Sequence, residues 1–371
     1  MPVELTIEHV NLTGQGVGKD AEGNLYFVEG ALPGDRVLAQ PESEKGRYRD
    51  AALVQVVQPS PERVDSVCPV FGKCGGCDWL DWDYASQVRG KEKMLQHVLG
   101  RSNWEPKRFL PSIAAEQPLG YRNRIQLRAE GKKLGFYRKR SHDIVDIENC
   151  AVADPRLNEA LTQLRGEGPF AQPTKIELAV GDEGKVERLD NSPHAAAGFA
   201  QVHSRQNNLL REMVRDIVQR AGAKTVLELF AGNGNLTMGY AEHVERLFAV
   251  DSSAPALEAA RAAWKGRSQP KAAFLEARVD KRLVRRLPGD FREHYDTLLL
   301  DPPRSGTQEC LGSFLHDNLK TIVYVSCSPV AFTKDVQCLE AAGFQLEQVQ
   351  IIDMFPHTRH IEFVSWFSRS A

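Results

Sequence analysis

The chemistry in this sequence is concentrated at the ends of a few apolar runs. Cys327 closes TIVYVSC (321–327) and precedes Ser328, Pro329 and a helical pattern. A thiol there stands beside a helix N-terminus, whose dipole favours thiolate, so the spacing predicts an acidified, reactive sulfur. Cys310 and Cys338 lie in helix-like stretches without such a setting and read as structural. DPPRSG (301–306) follows the run TLLL, and Pro302 and Pro303 stiffen a loop that would aim Asp301 in one direction. In HTRHIEFV (357–364), Glu362 alternates with Ile361 and Phe363. It is either a solvent-facing strand residue or a base turned into a cleft. LELFAGNGN (227–235) sets Gly232 and Gly234 between a buried strand and a helix, where backbone can approach a ligand closely. The third glycine of a dinucleotide fingerprint is missing, which disfavours a pyrophosphate. Asp251 ends the next strand, placed to accept two ribose hydroxyls. Together these features favour a nucleoside cofactor, S-adenosylmethionine.

Such residues need a frame that gathers strand ends. The last 170 or so residues supply one, opening with a helical pattern in SRQNNLLREMVRDIVQRAG (204–222). Strands are predicted at 225–230, 246–250, 272–277, 295–300, 321–326, near 344–352 and at 361–367, with helical patterns between most of them. That alternation is an α/β, doubly wound, largely parallel sheet, which binds ligands at the carboxyl ends of its strands. Residues 1–59 read as short strands between turn signals, a small β-barrel in which Gly14, Gly16 and Gly18 are hairpin glycines. PSPER (59–63) reads as a linker, and 167–195 as loops around one strand, KIELAV. The predicted domains are therefore 1–59, 60–195 and 196–371.

Composition limits what these parts can serve. The 371 residues carry 47 Lys and Arg against 49 Asp and Glu, so no global positive field draws nucleic acid. Any RNA must meet a local patch, and Arg122, Arg124, Arg128, Lys132, Lys133, Arg138, Lys139 and Arg140 oppose only Glu130 in a hairpin-like stretch. No apolar run reaches the ~18 residues of a membrane span. The opening MPVELTIEHVNL lacks the pattern of a secretory signal. Seven cysteines then fit a reducing, cytoplasmic setting.

The ordered blocks FAQV (199–202), LELFAGNGNL (227–236), LLLDPPRSG (298–306), YVSCSP (324–329) and HTRHIEFV (357–364) resemble the RNA uracil-C5 methyltransferases, which make 5-methyluridine with S-adenosylmethionine. The resemblance extends to the front of the chain, where 1–59 looks like a TRAM domain, an OB-like RNA-binding barrel. It implies that Cys327 is the nucleophile and Glu362 the base. It also implies that Gln201, Phe230, Asn235, Asp251 and Asp301 contact the cofactor. Phe230 stands where many relatives have Tyr, and His203 follows FAQV where Asn is usual. The reaction needs these types independently. A thiolate adding to C6 makes C5 nucleophilic, and a base must remove the C5 proton before the thiolate leaves. The target base must also leave its stack. Cytosine-C5 enzymes share this logic but usually carry a second Cys in the block equivalent to DPPRSG, which is absent here.

Cys68, Cys74 and Cys77 form C-x5-C-x2-C, and Cys150 is the fourth cysteine before the catalytic half. Four thiolates suit a [4Fe–4S] cluster or tetrahedral zinc. One triplet plus a distant single Cys fits the cluster better than a paired C-x2-C ribbon, and the same pattern marks the cluster-bearing branch of the resembled family. A small central α+β domain would carry it, in a structural role. The expected substrate is 23S ribosomal RNA, with the T-loop of tRNA, a cytosine-C5 activity and a non-catalytic RNA-binding or chaperone module as alternatives. No membrane and no obligate protein partner is implied.

Overall fold

The computed structural model describes all residues except 46–47, 103, 182, 193–200, 268–269, 290, 308 and 370–371; it also leaves the side chains of 44–45 undescribed. Alternating apolar residues build the front of the chain. Strands β1 (Val3–Val10), β2 (Gly16–Lys19), β3 (Leu25–Val28), β4 (Arg36–Lys45) and β5 (Tyr48–Gln58) close into a barrel in the order β1-β2-β3-β5-β4. Its interior is filled by Leu5, Ile7, Tyr26, Val28, Val37, Ala39 and Ala51. Closure removes sheet edges, which lets five short strands stand as a unit.

Helix α1 (Tyr84–Arg101) and the short strand β6 (Arg108–Phe109) follow. Next come β7 (Arg124–Gly131), β8 (Lys133–Tyr137), β9 (Ile144–Asp146), helix α2 (Pro155–Gly166), β10 (Phe170–Val180) and β11 (Val186–Asp190). The last five of these strands form a sheet of order β11-β10-β7-β8-β9, and its core includes Leu127, Leu157, Leu161, Ile176 and Leu178. The basic stretch is the expected hairpin, with Glu130 opposite Lys133 across the β7–β8 turn. Two expectations are corrected. Residues 167–195 hold two paired strands, Ile176 opposite Asp190 to Val180 opposite Val186, where loops around one were expected. β11 was hidden because VERLD has only two apolar residues, Val186 and Leu189, spaced three apart, and so lacks strand alternation.

The linker expected at 59–63 is instead fastened down. Asp35 is fully buried and accepts from the amides of Leu32 at 2.7 Å and Ser60 at 2.8 Å. Arg63 donates to the same carboxylate through Nε at 2.9 Å and Nη2 at 2.7 Å. The same guanidinium donates to the Gly30 carbonyl at 2.7 Å and pairs with Asp81.

The rest of the chain is the predicted α/β alternation. It runs through α3 (Ser204–Arg220), β12 (Thr225–Leu229), α4 (Thr237–Tyr240), β13 (Arg246–Asp251), α5 (Ala254–Trp264) and β14 (Lys271–Glu276). β15 (Thr297–Leu300), β16 (Thr321–Ser326), α6 (Pro329–Ala341), β17 (Gln345–Ile352) and β18 (Glu362–Ser368) complete it. The sheet order is β14-β13-β12-β15-β16-β18-β17-β6. β14, β13, β12, β15 and β16 pair in parallel with one another, and β15 and β16 are buried along their whole length, as strands covered on both faces must be. β18 runs antiparallel between β16 and β17, so its first residue lies at the edge where β16 ends. Strand order reverses at β12, which places the ligand crevice at the carboxyl ends of β12 and β15. No helix among the described residues is long and apolar enough to cross a membrane.

The chain divides into two compact units: Met1–Met94 with Ala114–Ala196 and Phe355–His360, and Leu95–Ile113 with Ala197–Met354 and Ile361–Ala371. Within the first, the Asp35–Arg63 pair is the exposed test of packing. Arg63→Ala leaves a buried carboxylate without its cation, and the expected loss is about 3–5 kcal/mol in urea unfolding. The double variant Asp35→Asn/Arg63→Ala should lose less. A single-variant loss within about 0.5 kcal/mol of zero would mean the pair does not hold this junction.

Candidate active site at the carboxyl edge of the sheet

The loop after β12 is shaped by backbone that only special conformations allow. Phe230 has φ of +64°, an outlier for a bulky residue, and Gly232 and Gly234 follow at +55° and +81°. A side chain at Gly232 would meet open space, so the loop leaves room beside its backbone. The Gly232 amide donates to Asp251 Oδ2 at 2.8 Å, and the Ser253 amide donates to Oδ1 at 2.8 Å. Two backbone amides thus aim the Asp251 carboxylate and leave acceptor sites on both oxygens.

Two residues that sequence reasoning missed support this loop. Glu228 is a buried acid inside β12, and its Oε2 accepts from Thr237 Oγ1 at 2.6 Å and the Tyr240 hydroxyl at 2.7 Å. Burial raises its carboxyl to about 7 against those bonds. A charge inside an otherwise apolar strand, LELF, was the available signal. Asn207 on α3 exchanges reciprocal 2.8 Å amide hydrogen bonds with Asn235, which latches the loop to the helix. Gln201 lies three residues before α3, half-buried, while Phe199 and Ala200 of the FAQV block lie outside the described residues. His203 precedes α3, buried, and burial lowers its pKa to about 4, so it is neutral near neutral pH.

Asp301, Cys327 and Glu362 meet at the same edge. In the β16–β18 register Ser326 lies opposite Phe363, so the next residues outward are Cys327 and Glu362. Glu362 is 4% exposed, which excludes the solvent-facing alternative. Burial, and then the neighbouring Asp301 charge, push its carboxyl well above the ordinary range, with Arg304 opposing. Asp301 rises to about 7 through burial and Glu228. The Cys327 thiol moves opposite to the helix-dipole expectation. Burial, then Glu362 and Asp301, push it up to about 11, with Arg304 again opposing. These effects outweigh the helix dipole; Ser328, not Cys327, is the N-cap of α6, and its Oγ accepts from the Ala331 amide at 3.4 Å. Cys310 is buried and donates to the Thr307 carbonyl, consistent with its structural reading.

In the first unit, Cys68, Cys74, Cys77 and Cys150 line one cavity of about 70 Å³, with Arg122 and Phe136 on its wall. Burial and mutual repulsion raise the Cys77 thiol strongly, and burial also raises Cys74 and Cys150. Among the described residues, no three His, Cys, Asp or Glu side chains converge to hold a single metal ion. The basic hairpin is less free than its composition implies. Lys139 pairs with Glu29 at 2.9 Å and Asp78 at 3.1 Å, and Arg140 pairs with Glu29 at 3.2 Å. Asp78 also takes the Arg359 amide at 3.1 Å and Nη1 at 2.9 Å. Burial alone would raise the Asp78 carboxyl, but Arg359 and Lys139 outweigh it and hold it below the usual range.

Comparison with known proteins follows the same geography. A family model described as tRNA (Uracil-5-)-methyltransferase matches residues 191–370. The 23S rRNA (uracil(1939)-C(5))-methyltransferase RlmD of Alkalilimnicola ehrlichii is 30% identical over an alignment of 438 positions, covering 100% of this chain and 97% of that protein. The chain belongs to the (uracil-5-)-methyltransferase family of RNA enzymes. An uncharacterized RNA methyltransferase of Nitrosomonas europaea, also 30% identical, covers 98% of this chain and 96% of its own length. The fold is shared with the Pyrococcus abyssi tRNA (uracil-54, C5)-methyltransferase solved with S-adenosyl-L-homocysteine. Its TM-score is 0.74 at 23% identity, over 99% of this chain and 100% of that one. In this (uracil-5-)-methyltransferase fold, the acids at the sheet edge lie where the doubly wound topology places its ligand crevice.

The raised carboxyls carry a stability cost with a defined sign. Between the ordinary Asp value of 3.8 and about 7, the unfolded chain ionises Asp301 while the fold keeps it protonated. Stability therefore falls as pH rises through that window and stays reduced above it. Asp301→Asn is expected to melt higher than the parent near pH ~8, and to lose that advantage near pH ~3.5. Thermal denaturation at both pH values checks this; an Asn variant that melts lower at both would show that the fold does not raise the Asp301 pKa.

Proposed function

We propose that this chain methylates C5 of a uridine in 23S ribosomal RNA, with Cys327 as nucleophile and Glu362 as base. The observation that carries the reading is the β16–β18 register, which sets a thiol and a buried carboxyl side by side at the ligand edge. S-adenosylmethionine supplies an electrophilic methyl group when bound. Asp251, with acceptor sites left after its two amide bonds, would hold nucleoside hydroxyls beside the open backbone at Gly232. Gln201, Phe230, Asn235 and Asp301 complete the cofactor contacts in this reading. Asn235 does so with the amide hydrogen and lone pair that its pairing with Asn207 leaves over.

The chain's own steps are a covalent addition and a proton transfer. The Cys327 thiol gives its proton to solvent water, and the thiolate adds to C6 of uracil, which moves the C5–C6 electron pair onto C5 and the adjoining C4 carbonyl. Once C5 carries the methyl group, the Glu362 carboxylate takes the C5 proton. The freed pair re-forms the double bond and expels the thiolate. Burial gives Glu362 the high proton affinity that suits a base for a carbon acid. Burial, with Glu362 and Asp301 beside it, favours the thiol form of Cys327 in the free protein.

The barrel, a TRAM domain in this reading, and the basic hairpin would bind RNA, whose flipped base costs a few kcal/mol to unstack. Ribosomal RNA is favoured over tRNA because the relative matched end to end at 30% identity is named for 23S rRNA. Such work belongs in the cytoplasm. The four cysteines would hold a [4Fe–4S] cluster: they surround a cavity rather than converge on one point, and in a cluster each thiolate binds its own iron.

Two experiments test these readings. Cys327→Ala is expected to lower methylation by at least about a thousand-fold, while Glu362→Gln should trap a methylated protein–RNA adduct on a denaturing gel. Near-normal turnover by either variant removes it from its role. Anaerobically purified protein should contain about four irons and four acid-labile sulfides per chain. One zinc without sulfide would replace the cluster by a zinc site.

A further inference from the structure

Behind the catalytic edge lies a buried carboxylate that neither reacting group uses. Asp335, on α6, is 7% exposed. Its Oδ1 accepts from Thr307 Oγ1 at 2.8 Å, and its Oδ2 accepts from the Thr307 amide at 2.8 Å and the Tyr324 hydroxyl at 2.6 Å. These donors belong to the two segments that carry the reacting groups. Thr307 closes the Asp301–Gly306 loop, and Tyr324 stands on β16 three residues before Cys327. Asp335 itself stands on the helix that starts two residues after Cys327. Gly306 has φ of +72°, and a side chain there would stand 2.7 Å from Asp335 Oδ2. The loop therefore reaches the carboxylate only because that position is bare.

A buried charge needs its hydrogen bonds, and removing one strands the carboxylate. The three donors are thus coupled: loop, strand and helix can shift only together. A nucleophile displaced by about 1 Å can lose two orders of magnitude in rate without losing its substrate.

We propose that Asp335 is a positioning residue, which sets the Cys327 sulfur against the Asp301 loop by fastening both to α6 without touching RNA or cofactor. This rests on the reading of Cys327 as nucleophile. Asp335→Asn and Thr307→Val are expected to lower single-turnover methyl transfer, at saturating RNA and S-adenosylmethionine, by about ten- to hundred-fold. Affinities for RNA and S-adenosylhomocysteine should stay within about two-fold, and Thr307→Ser should restore the rate. In a Glu362→Gln background, the same substitutions should slow adduct appearance by the same factor. The double variant Asp335→Asn/Thr307→Val should be no slower than the worse single one. If Asp335→Asn does not fold, Thr307→Val and Tyr324→Phe, each removing one donor, carry the test. A lowered melting temperature with unchanged single-turnover rates below it would make Asp335 purely structural and overturn the proposal. Active Cys327→Ala would instead overturn the nucleophile reading on which it rests.

Discussion

Glu228 and Glu362 are buried and Asp301 and Cys327 half-buried at one edge of the sheet, and groups so crowded and desolvated cannot all hold negative charge. Each is pushed toward its protonated form, by burial first and in most cases by another member of the group. Every pKa unit of that shift is about 1.4 kcal/mol of interaction the fold tolerates rather than gains. The surrounding sheet carries that load. β15 and β16 are buried along their whole length and pair in parallel with each other. Protons, hydroxyls and amides take the place of counter-ions here: Thr237 and Tyr240 serve Glu228, and Thr307 and Tyr324 serve Asp335.

The first unit solves the same problem with the opposite device. Asp35 and Asp78 are buried too, but each has a cation in contact, Arg63 for one and Lys139 with Arg359 for the other. Paired acids of this kind stay charged and fasten segments together. Acids without a cation in contact rely instead on hydroxyl and amide donors, as Glu228 and Asp335 do. The difference follows from which residue stands within reach of each carboxylate.

Much of this was legible in the sequence where the signal is local. Apolar runs of four to six residues ending in Gly, Asp or Cys are parallel strands feeding a crevice, and each strand predicted after residue 220 is present. The alternation around Glu362 left two faces open, and only the register against β16 decides between them. What misled was through-space. The dipole argument for Cys327 uses neighbours in sequence, whereas its pKa is set by burial and by Glu362 and Asp301, which are distant in the chain. Likewise a count of cations could not show that Lys139 and Arg140 are already engaged by Glu29. Glu228 was visible as a lone acid in a strand, but its partners Thr237 and Tyr240 only become partners once the helix turns back over β12.

The segment Phe355–His360 sets a schedule for biosynthesis. It belongs to the first unit, where the Asp78 and Trp79 amides donate to the His357 carbonyl at 2.9 and 3.1 Å and the Gln87 carbonyl oxygen accepts the His357 amide at 3.0 Å. Synthesis proceeds from the N-terminus, and between Cys150 and Phe355 lie 355 − 150 = 205 residues of further elongation. At roughly 5–20 residues per second that is about 10–40 s. During that interval the four cysteines exist in a unit that lacks its last piece. A ribosome that stalls or terminates before residue 355 therefore releases an incomplete first unit as well as an incomplete second one. A half-length product of this chain lacks Phe355–His360 of the first unit.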